Sequence, residues 1–260
     1  MASTSVLVDR IGPTARITIN RPEARNSLNA ESIKLLHDAF LNCSGDRTVR
    51  AVLLRGAGTE AFCAGADLAE LKRASSPDQR RAFFLSIASL VEVVTRCPVP
   101  VVAEVQGFAL AGGCGLVAAA DIAIASEDAV FGLPEVGVGL APMVVMAPLL
   151  RTIGFRAVSE MALTGERISC SQALDFGLIS RIVAKPDLEG VTTALCATIC
   201  SRGPAAVKAS KRAITDITEA NSLSFIKELA DRSALVSIGA EASEGISAFL
   251  EKRQPSWKNC

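Results

Sequence analysis

Short apolar runs bounded by glycine, proline and polar residues recur through the first half of the chain. Runs of this kind are typical of strands that are buried in a sheet. Several of them lead into glycine-rich stretches and then into helical spacing. The predicted strands are Val6–Asp9, Ala15–Asn20, Ala51–Leu54, Val101–Val105, Ile122–Ala125 and Val130–Phe131.

Helical spacing of apolar residues appears between these runs and dominates after Leu140. Asn29 fits an N-cap, and Ser169-Cys170-Ser171-Gln172 fits a capping box before a helix that Gly177 can end. The other predicted helices are Ala30–Cys43, a small-residue helix that follows the Gly107–Gly115 turn through Ala120, and about Leu188–Arg202, Pro204–Ala220 and Leu223–Phe249.

The order of these elements is strand, strand, helix, repeated several times. That order predicts a layered α/β domain rather than a sandwich or a helical bundle. A length of 260 residues suits one large domain with an appendage. We expect residues 1–195 to form the core and residues 196–260 to form a helical C-terminal region.

Composition narrows the possible functions. Lys plus Arg and Asp plus Glu each number 27, and no long basic run occurs, which argues against a nucleic-acid partner. No signal-like or membrane-spanning apolar run is visible, so we expect a cytoplasmic protein without a membrane partner. The eight cysteines form no CxxC pair and there is one histidine, so no metal site is expected and the cysteines are expected to be reduced and mostly buried.

Two glycine-containing turns carry the first candidate chemistry, at Ala61–Leu68 and Gln106–Gly115. Each turn precedes a predicted helix, whose first N–H groups have no partner within the helix and carry the positive end of its dipole. Two such groups that converge would form an oxyanion hole. The glycines could instead serve only tight turns and close packing. Their spacing does not match a dinucleotide-binding or phosphate-loop motif.

Glu135 is the third candidate. It is the one carboxylate in the apolar, glycine-rich stretch Phe131–Leu140. A buried carboxylate without a partner has a raised pKa, which suits a general acid or base. A surface-loop glutamate after a turn-forming proline is the alternative.

The three segments together resemble the crotonase family, the enoyl-CoA hydratases and isomerases. The resemblance covers nearly the whole chain and rests on several separate motifs in order. Besides the three segments, these are Arg25-Asn26-Ser27-Leu28-Asn29, Leu163-Thr164-Gly165-Glu166, the region Ala173 to Gly177-Leu178, and Phe249 with Lys252-Arg253-Gln254-Pro255.

The resemblance implies a spiral of ββα repeats with a helical C-terminal region that assembles trimers, often paired into hexamers. It implies an oxyanion hole formed by the N–H groups of Ala66 and Gly112, with Glu135 as acid or base. It places contacts to the CoA of an acyl-CoA substrate on Arg25, Ala64, Asp67 and Leu68. No cofactor besides CoA, as part of the substrate, is implied.

One departure stands out. Classical hydratases of the family carry a second glutamate just after the glycine run, where this chain has Gly115. One carboxylate is enough to move a proton between Cα and Cγ, so the departure weakens a two-carboxylate hydration without excluding hydration. We therefore predict an enoyl-CoA hydratase or isomerase of fatty-acid or branched acyl-CoA metabolism with a single Glu.

Other classes remain open at this point. A peptidase on the related fold would need a Ser–His pair, and the one histidine is His37, beside Asp38 in the first helix. A catalytically idle acyl-CoA-binding scaffold is a further alternative, because loss of a glutamate would suit it. An RNA-binding relative is disfavoured by the neutral charge.

Overall fold

A computed structural model describes residues 4–73 and 76–220, together with Ala240, Glu244, Ala248, Glu251, Arg253, Gln254 and Ser256. The ten strands of this part are β1 Val6–Ile11, β2 Thr14–Ile19, β3 Ala51–Gly56, β4 Ala61–Cys63, β5 Val101–Val105, β6 Phe108–Leu110, β7 Ile122–Ser126, β8 Val130–Gly132, β9 Arg167–Ser169 and β10 Arg181–Val183.

Nine α-helices lie within the same residues. They are α1 Ala30–Gly45, α2 Leu68–Arg73, α3 Pro77–Thr95, α4 Gly112–Ala119, α5 Met143–Thr152, α6 Phe155–Thr164, α7 Cys170–Asp175, α8 Leu188–Cys200 and α9 Pro204–Ala220. Among the described residues, no helix is both long enough and apolar enough to cross a bilayer.

The strands form two sheets, and three successive pairs of strands each contribute one strand to each sheet. The larger sheet has the order β1-β2-β3-β5-β7-β10 and the smaller one β4-β6-β8-β9. The first strand of each pair β3/β4, β5/β6 and β7/β8 enters the larger sheet and the second enters the smaller one. Neighbouring strands of successive pairs are parallel in both sheets. The chain therefore advances by one repeat at each strand–strand–helix unit, as the sequence pattern predicts.

The larger sheet is covered on both faces. Strand β5 is buried at every position and β3 at all but one, which is why these runs are continuously apolar rather than alternating. On one face, Leu53 and Val102 pack with Cys196 and Cys200 of α8. The main core lies on the opposite face.

Side-chain caps fix the starts of several helices. Asn29 accepts a hydrogen bond from the N–H of Ser32 at the start of α1, and Ser169 does the same for Gln172 at the start of α7. Both caps agree with the sequence prediction. A third capping box, of Ser76 with Gln79, begins α3.

The structure corrects the sequence prediction in two respects. Strands β4 and β6 lie inside the segments Ala61–Leu68 and Gly107–Gly115, which were expected to be turns, and α2 and α3 fill a stretch without a predicted element. The boundary predicted at residue 195 falls within α8, and the predicted helix Leu223–Phe249 lies, apart from isolated positions, outside the described residues. The division into core and C-terminal region therefore stays a prediction.

Candidate active site

The first glycine turn leaves the backbone N–H of Ala66 unpaired. Leu28 forms a parallel bridge with Ala66, in which the Leu28 N–H donates to Gly65 O at 2.8 Å and the Asp67 N–H donates to Leu28 O at 2.9 Å. Successive N–H groups of an extended chain alternate in direction, so the Ala66 N–H points away from Leu28. No acceptor for it occurs in the part of the chain that the structure describes.

The second glycine turn brings the start of α4 to the same place. A Cβ added to Gly112, the first residue of α4, would lie 3.7 Å from Gly65 Cα and 4.0 Å from Ala66 N. The N–H groups of a first helical turn have no partner within the helix and carry its positive dipole end. The geometry thus places two backbone donors, on Ala66 and Gly112, side by side.

Ala111 precedes α4 in a conformation that a side chain disfavours, with φ 52° and ψ −120°. Its N–H donates to Gly132 O at 2.9 Å, which ties the turn to β8. A non-glycine residue held in such a conformation costs about 1–3 kcal/mol and persists only where its surroundings impose it. Sequence reasoning missed this residue, because an alanine in a small-residue run gives no signal of strain.

Glu135 lies in a short 3₁₀ helix, Pro134–Val138, that follows β8. Its Oε2 atom is buried and has no hydrogen-bond partner among the described residues. Burial raises the pKa of Glu135, and a hydrogen bond to the backbone of the same residue opposes this only in part. The alternative of an ordinary surface-loop glutamate does not fit this environment.

Ala66, Gly112 and Glu135 line one cavity of about 510 Å³. Its wall is apolar apart from the Glu135 carboxyl and the exposed backbone. Side chains from α2, α3 and α5 form much of this wall: Leu71, Phe84, Ile87, Val144 and Val145. The sequence prediction assigned Ala66, Gly112 and Glu135 to one site, and the structure places all three around this one cavity.

Val145 fills the space next to Gly115. A Cβ added to Gly115 would lie 2.4 Å from Val145 Cγ1 and 2.8 Å from Val145 Cβ, closer than real Cβ contacts allow. Val145 is itself buried. A second carboxylate at position 115, of the kind that classical hydratases of the family carry, therefore has no room beside Val145 in this chain.

The predicted CoA contacts fall into two groups. Ala64 and Leu68 line the same cavity as Glu135. Arg25 does not, but its carbonyl accepts a hydrogen bond from the Ala64 N–H at 3.0 Å, so it lies next to the first turn. The Arg25 guanidinium is largely exposed, with its Nε 3.6 Å from Glu60 Oε2.

Asp67 does not line the cavity either. Its carboxylate accepts a hydrogen bond from Arg21 at 3.0 Å and further ones from the N–H groups of Ala69 and Glu70 at the start of α2. Burial alone would raise the pKa of Asp67, but these hydrogen bonds and the Arg21 charge outweigh it and hold the pKa below its ordinary value. The side chain is thus engaged in fixing the turn.

A buried asparagine, which the sequence analysis names only as part of the Arg25–Asn29 motif, clamps the first turn. Asn26 is fully buried with φ 56°, and its Nδ2 donates to Ala57 O at 2.9 Å and to Ala61 O at 2.7 Å. Its Oδ1 accepts the N–H of Arg21 at 3.0 Å. The segment 21–28 is therefore held against the loop that precedes β4 and against the first residue of β4, the strand that leads into Ala66. An asparagine is among the few residues that adopt this conformation readily, but nothing near it in sequence points to its partners.

The remaining candidates lie elsewhere. The His37 Nδ1 lies 3.9 Å from Asp38 Oδ1 on α1, and His37 is not among the residues that line the cavity. Seven cysteines are free and buried, as predicted, and Cys260 lies outside the described residues. Burial raises the pKa values of Cys63 and Cys114 to about 12, so both are neutral thiols that pack beside the turns.

Comparison with known proteins agrees with this geometry. The family model described as enoyl-CoA hydratase/isomerase matches residues 12–260. The chain is 34% identical to a short-chain-enoyl-CoA hydratase of Clostridium acetobutylicum, over 98% of this chain and 97% of that protein. It is 33% identical to a mitochondrial enoyl-CoA hydratase domain-containing protein 3 of Danio rerio, over 99% of this chain and 89% of the other.

A solved structure gives the same result for the fold. An enoyl-CoA hydratase of Mycobacterium smegmatis superposes with a TM-score of 0.94 at 36% identity, covering 98% of this chain and 99% of that one. The predicted α/β spiral of the crotonase type is thereby confirmed.

Proposed function

Because the chain belongs to the enoyl-CoA hydratase/isomerase family, we propose that it holds an enoyl-CoA thioester between Ala66 and Gly112 and that Glu135 moves the proton. The observation that carries this proposal is the shared cavity, which is lined by the two backbone donors and by the Glu135 carboxyl, whose buried Oε2 has no partner among the described residues. The activity is that of an acyl-CoA enzyme, and its steps follow from these groups.

The N–H groups of Ala66 and Gly112 receive the thioester oxygen. Negative charge grows on that oxygen when the α-carbon loses a proton or the β-carbon is attacked, and fixed donors stabilise it without reorganising. Removing one such donor costs about 3 kcal/mol of transition-state stabilisation where this has been measured in other enzymes. Small side chains at both turns let the thioester approach the backbone closely.

Glu135 exchanges the proton with the carbon skeleton. Its raised pKa lets the group accept and release a proton near neutral pH. With Val145 filling the place of a second carboxylate, one group must act as both base and acid. This favours a shift of the double bond between Cα and Cγ. Hydration would require Glu135 to position the water by itself.

CoA binding is proposed for Arg25, Ala64, Asp67 and Leu68. Ala64 and Leu68, which line the cavity, would contact the pantetheine arm, and the exposed Arg25 guanidinium would pair with the phosphates. Asp67 contributes through its backbone, since its carboxylate is held by Arg21. Binding energy from this distant part of the substrate fixes the acyl group for reaction.

Assembly into a homotrimer or hexamer is proposed as well. The support is apolar surface on α6, where Phe155 is 75% exposed and Leu163 is 79% exposed in the single chain. Such residues on one helix face are typical of a surface that another chain covers. Light scattering coupled to gel filtration would give the mass directly.

The decisive experiment follows two substrates in heavy-oxygen water by mass spectrometry, crotonyl-CoA and a 3-enoyl-CoA. A double-bond shift without gain of label would establish isomerisation, and uptake of label by crotonyl-CoA would establish hydration with one carboxylate. Glu135→Gln should abolish either reaction while CoA binding is retained, and the exposed Glu127→Gln should change neither. If the wild-type protein bound CoA but turned over neither substrate, an idle scaffold would replace this proposal.

A further inference from the structure

The wall of the acyl cavity limits the chemistry of the acyl group. We propose that the cavity accepts enoyl groups made only of hydrocarbon and rejects those that end in a second carboxylate. This inference rests on the proposed function, because it assumes that the acyl chain enters the cavity beside Glu135.

The first support is the absence of a counter-ion. Within the part of the chain that the structure describes, Glu135 is the one ionisable side chain in the cavity wall. The large side chains around it are Leu71, Phe84, Ile87, Leu140, Val144 and Val145. An ionised carboxylate that enters such a space loses its water and gains no charged partner from these described residues, which is strongly unfavourable.

Three described cations near the cavity lie outside its wall. The Arg21 guanidinium bonds Asp67 at 3.0 Å and Ser27 O at 2.6 Å. Arg96 and Arg151 line a separate cleft between α3 and α5. None of these three side chains belongs to the described lining of the acyl cavity.

Glu135 itself adds repulsion. Its buried Oε2 has no partner among the described residues, so none of them neutralises a charge on it. A second carboxylate at short range would disfavour ionisation of both groups. Substrates with an anionic tail would therefore hinder the group that must act as the base.

A matched pair of ligands isolates this effect. Pentanoyl-CoA and glutaryl-CoA have the same number of carbons and differ only in a terminal methyl against a carboxylate. We expect calorimetry to give glutaryl-CoA an affinity at least about thirtyfold weaker, because its second charge loses water without gaining a partner. Turnover of trans-2-pentenoyl-CoA against glutaconyl-CoA should show the same preference in kcat/KM.

A positive charge introduced into the cavity wall tests whether the lack of a counter-ion causes the weak binding of glutaryl-CoA. Phe84 lines the cavity and is only partly buried, so Phe84→Lys introduces a cation there, and Phe84→Met is the neutral variant of similar length. Phe84→Lys should bind glutaryl-CoA about tenfold more tightly than Phe84→Met does, as expected for one partly desolvated ion pair. If Phe84→Lys misfolds, the affinities of the wild-type protein for pentanoyl-CoA and glutaryl-CoA still test whether the cavity rejects a second carboxylate.

The outcomes separate this inference from the proposed function. Equal affinity of the wild-type protein for pentanoyl-CoA and glutaryl-CoA would overturn the inference while the acyl-CoA site stands. Binding of neither ligand, nor of CoA itself, would overturn the proposed function and the inference with it. A reduced preference for pentanoyl-CoA that persists in Glu135→Gln, which lacks turnover, would support selection by the apolar cavity wall in addition to repulsion by Glu135.

Discussion

Replacing Asn26 with alanine should damage both the stability of the protein and the geometry of the oxyanion turn. The change removes the amide that donates to Ala57 O and Ala61 O, and alanine must then adopt φ 56°. A buried acceptor left without a donor costs about 1–3 kcal/mol, and the left-handed conformation costs alanine about 1–2 kcal/mol. Gln106 approaches Ala61 O at 3.4 Å and can retain part of one bond. The expected loss is therefore about 2–5 kcal/mol of unfolding free energy.

Urea denaturation measures this loss, and two variants divide it. Asn26→Gly keeps the left-handed conformation at low cost, so the difference between Gly and Ala reports backbone strain and the rest reports the lost hydrogen bonds. Asn42→Ala, at an exposed position on α1, serves as the matched control. Turnover should fall mainly in kcat rather than in KM, since the Ala66 N–H is displaced from the reacting oxygen. An Asn26→Ala protein as stable as Asn42→Ala, with unchanged kcat, would refute the clamp.

Three further predictions concern the site. Burial raises the pKa of Glu135 in the folded state, so ionisation of this group destabilises the fold once the pH rises above the pKa that the group has in the unfolded chain. Glu135→Gln should therefore raise the melting temperature at pH 8 but not at pH 4. An equal shift at both pH values would contradict this. Gly115→Ala should cost about 1–3 kcal/mol of unfolding free energy by overpacking against Val145, and a Val145→Ala background should reduce that cost in a double-mutant cycle. Ala111→Gly should stabilise the protein by about 1 kcal/mol in urea denaturation by relieving φ 52°, whereas Ala111→Val should lower stability.

Local patterns predicted those parts of the fold that local interactions decide. The capping boxes at the starts of α1 and α7 depend on residues three apart, so the sequence displays them directly. Helix α3 carries the same signal in Ser76 and Gln79, and a search for capping boxes would have found it. Strands β4 and β6 have three residues each and take their place from their neighbours, which a periodicity argument does not see.

Long-range contacts at the site left no trace in the local sequence. The Arg21–Asp67 pair spans 46 positions, and Val145 closes the space beside a glycine in another helix. Each depends on how the elements pack rather than on the residues next to it. The backbone donors were predictable for a different reason, because small residues at a helix start leave N–H groups exposed wherever the helix lies.

The strand–strand–helix repeat explains why Ala66, Gly112 and Glu135 lie close together. Strands β4, β6 and β8 are parallel neighbours in the smaller sheet, so their carboxyl ends lie at one edge. Ala66 follows β4, Gly112 follows β6 and Glu135 follows β8. Three successive repeats thus each supply one group, and the rule that α/β proteins bind ligands beyond the carboxyl ends of parallel strands explains why these groups meet. A register shift of one residue between β6 and β8 would reverse the side-chain faces, so pairing in this short sheet, rather than the glycine motifs alone, sets the distance between the donors and the acid.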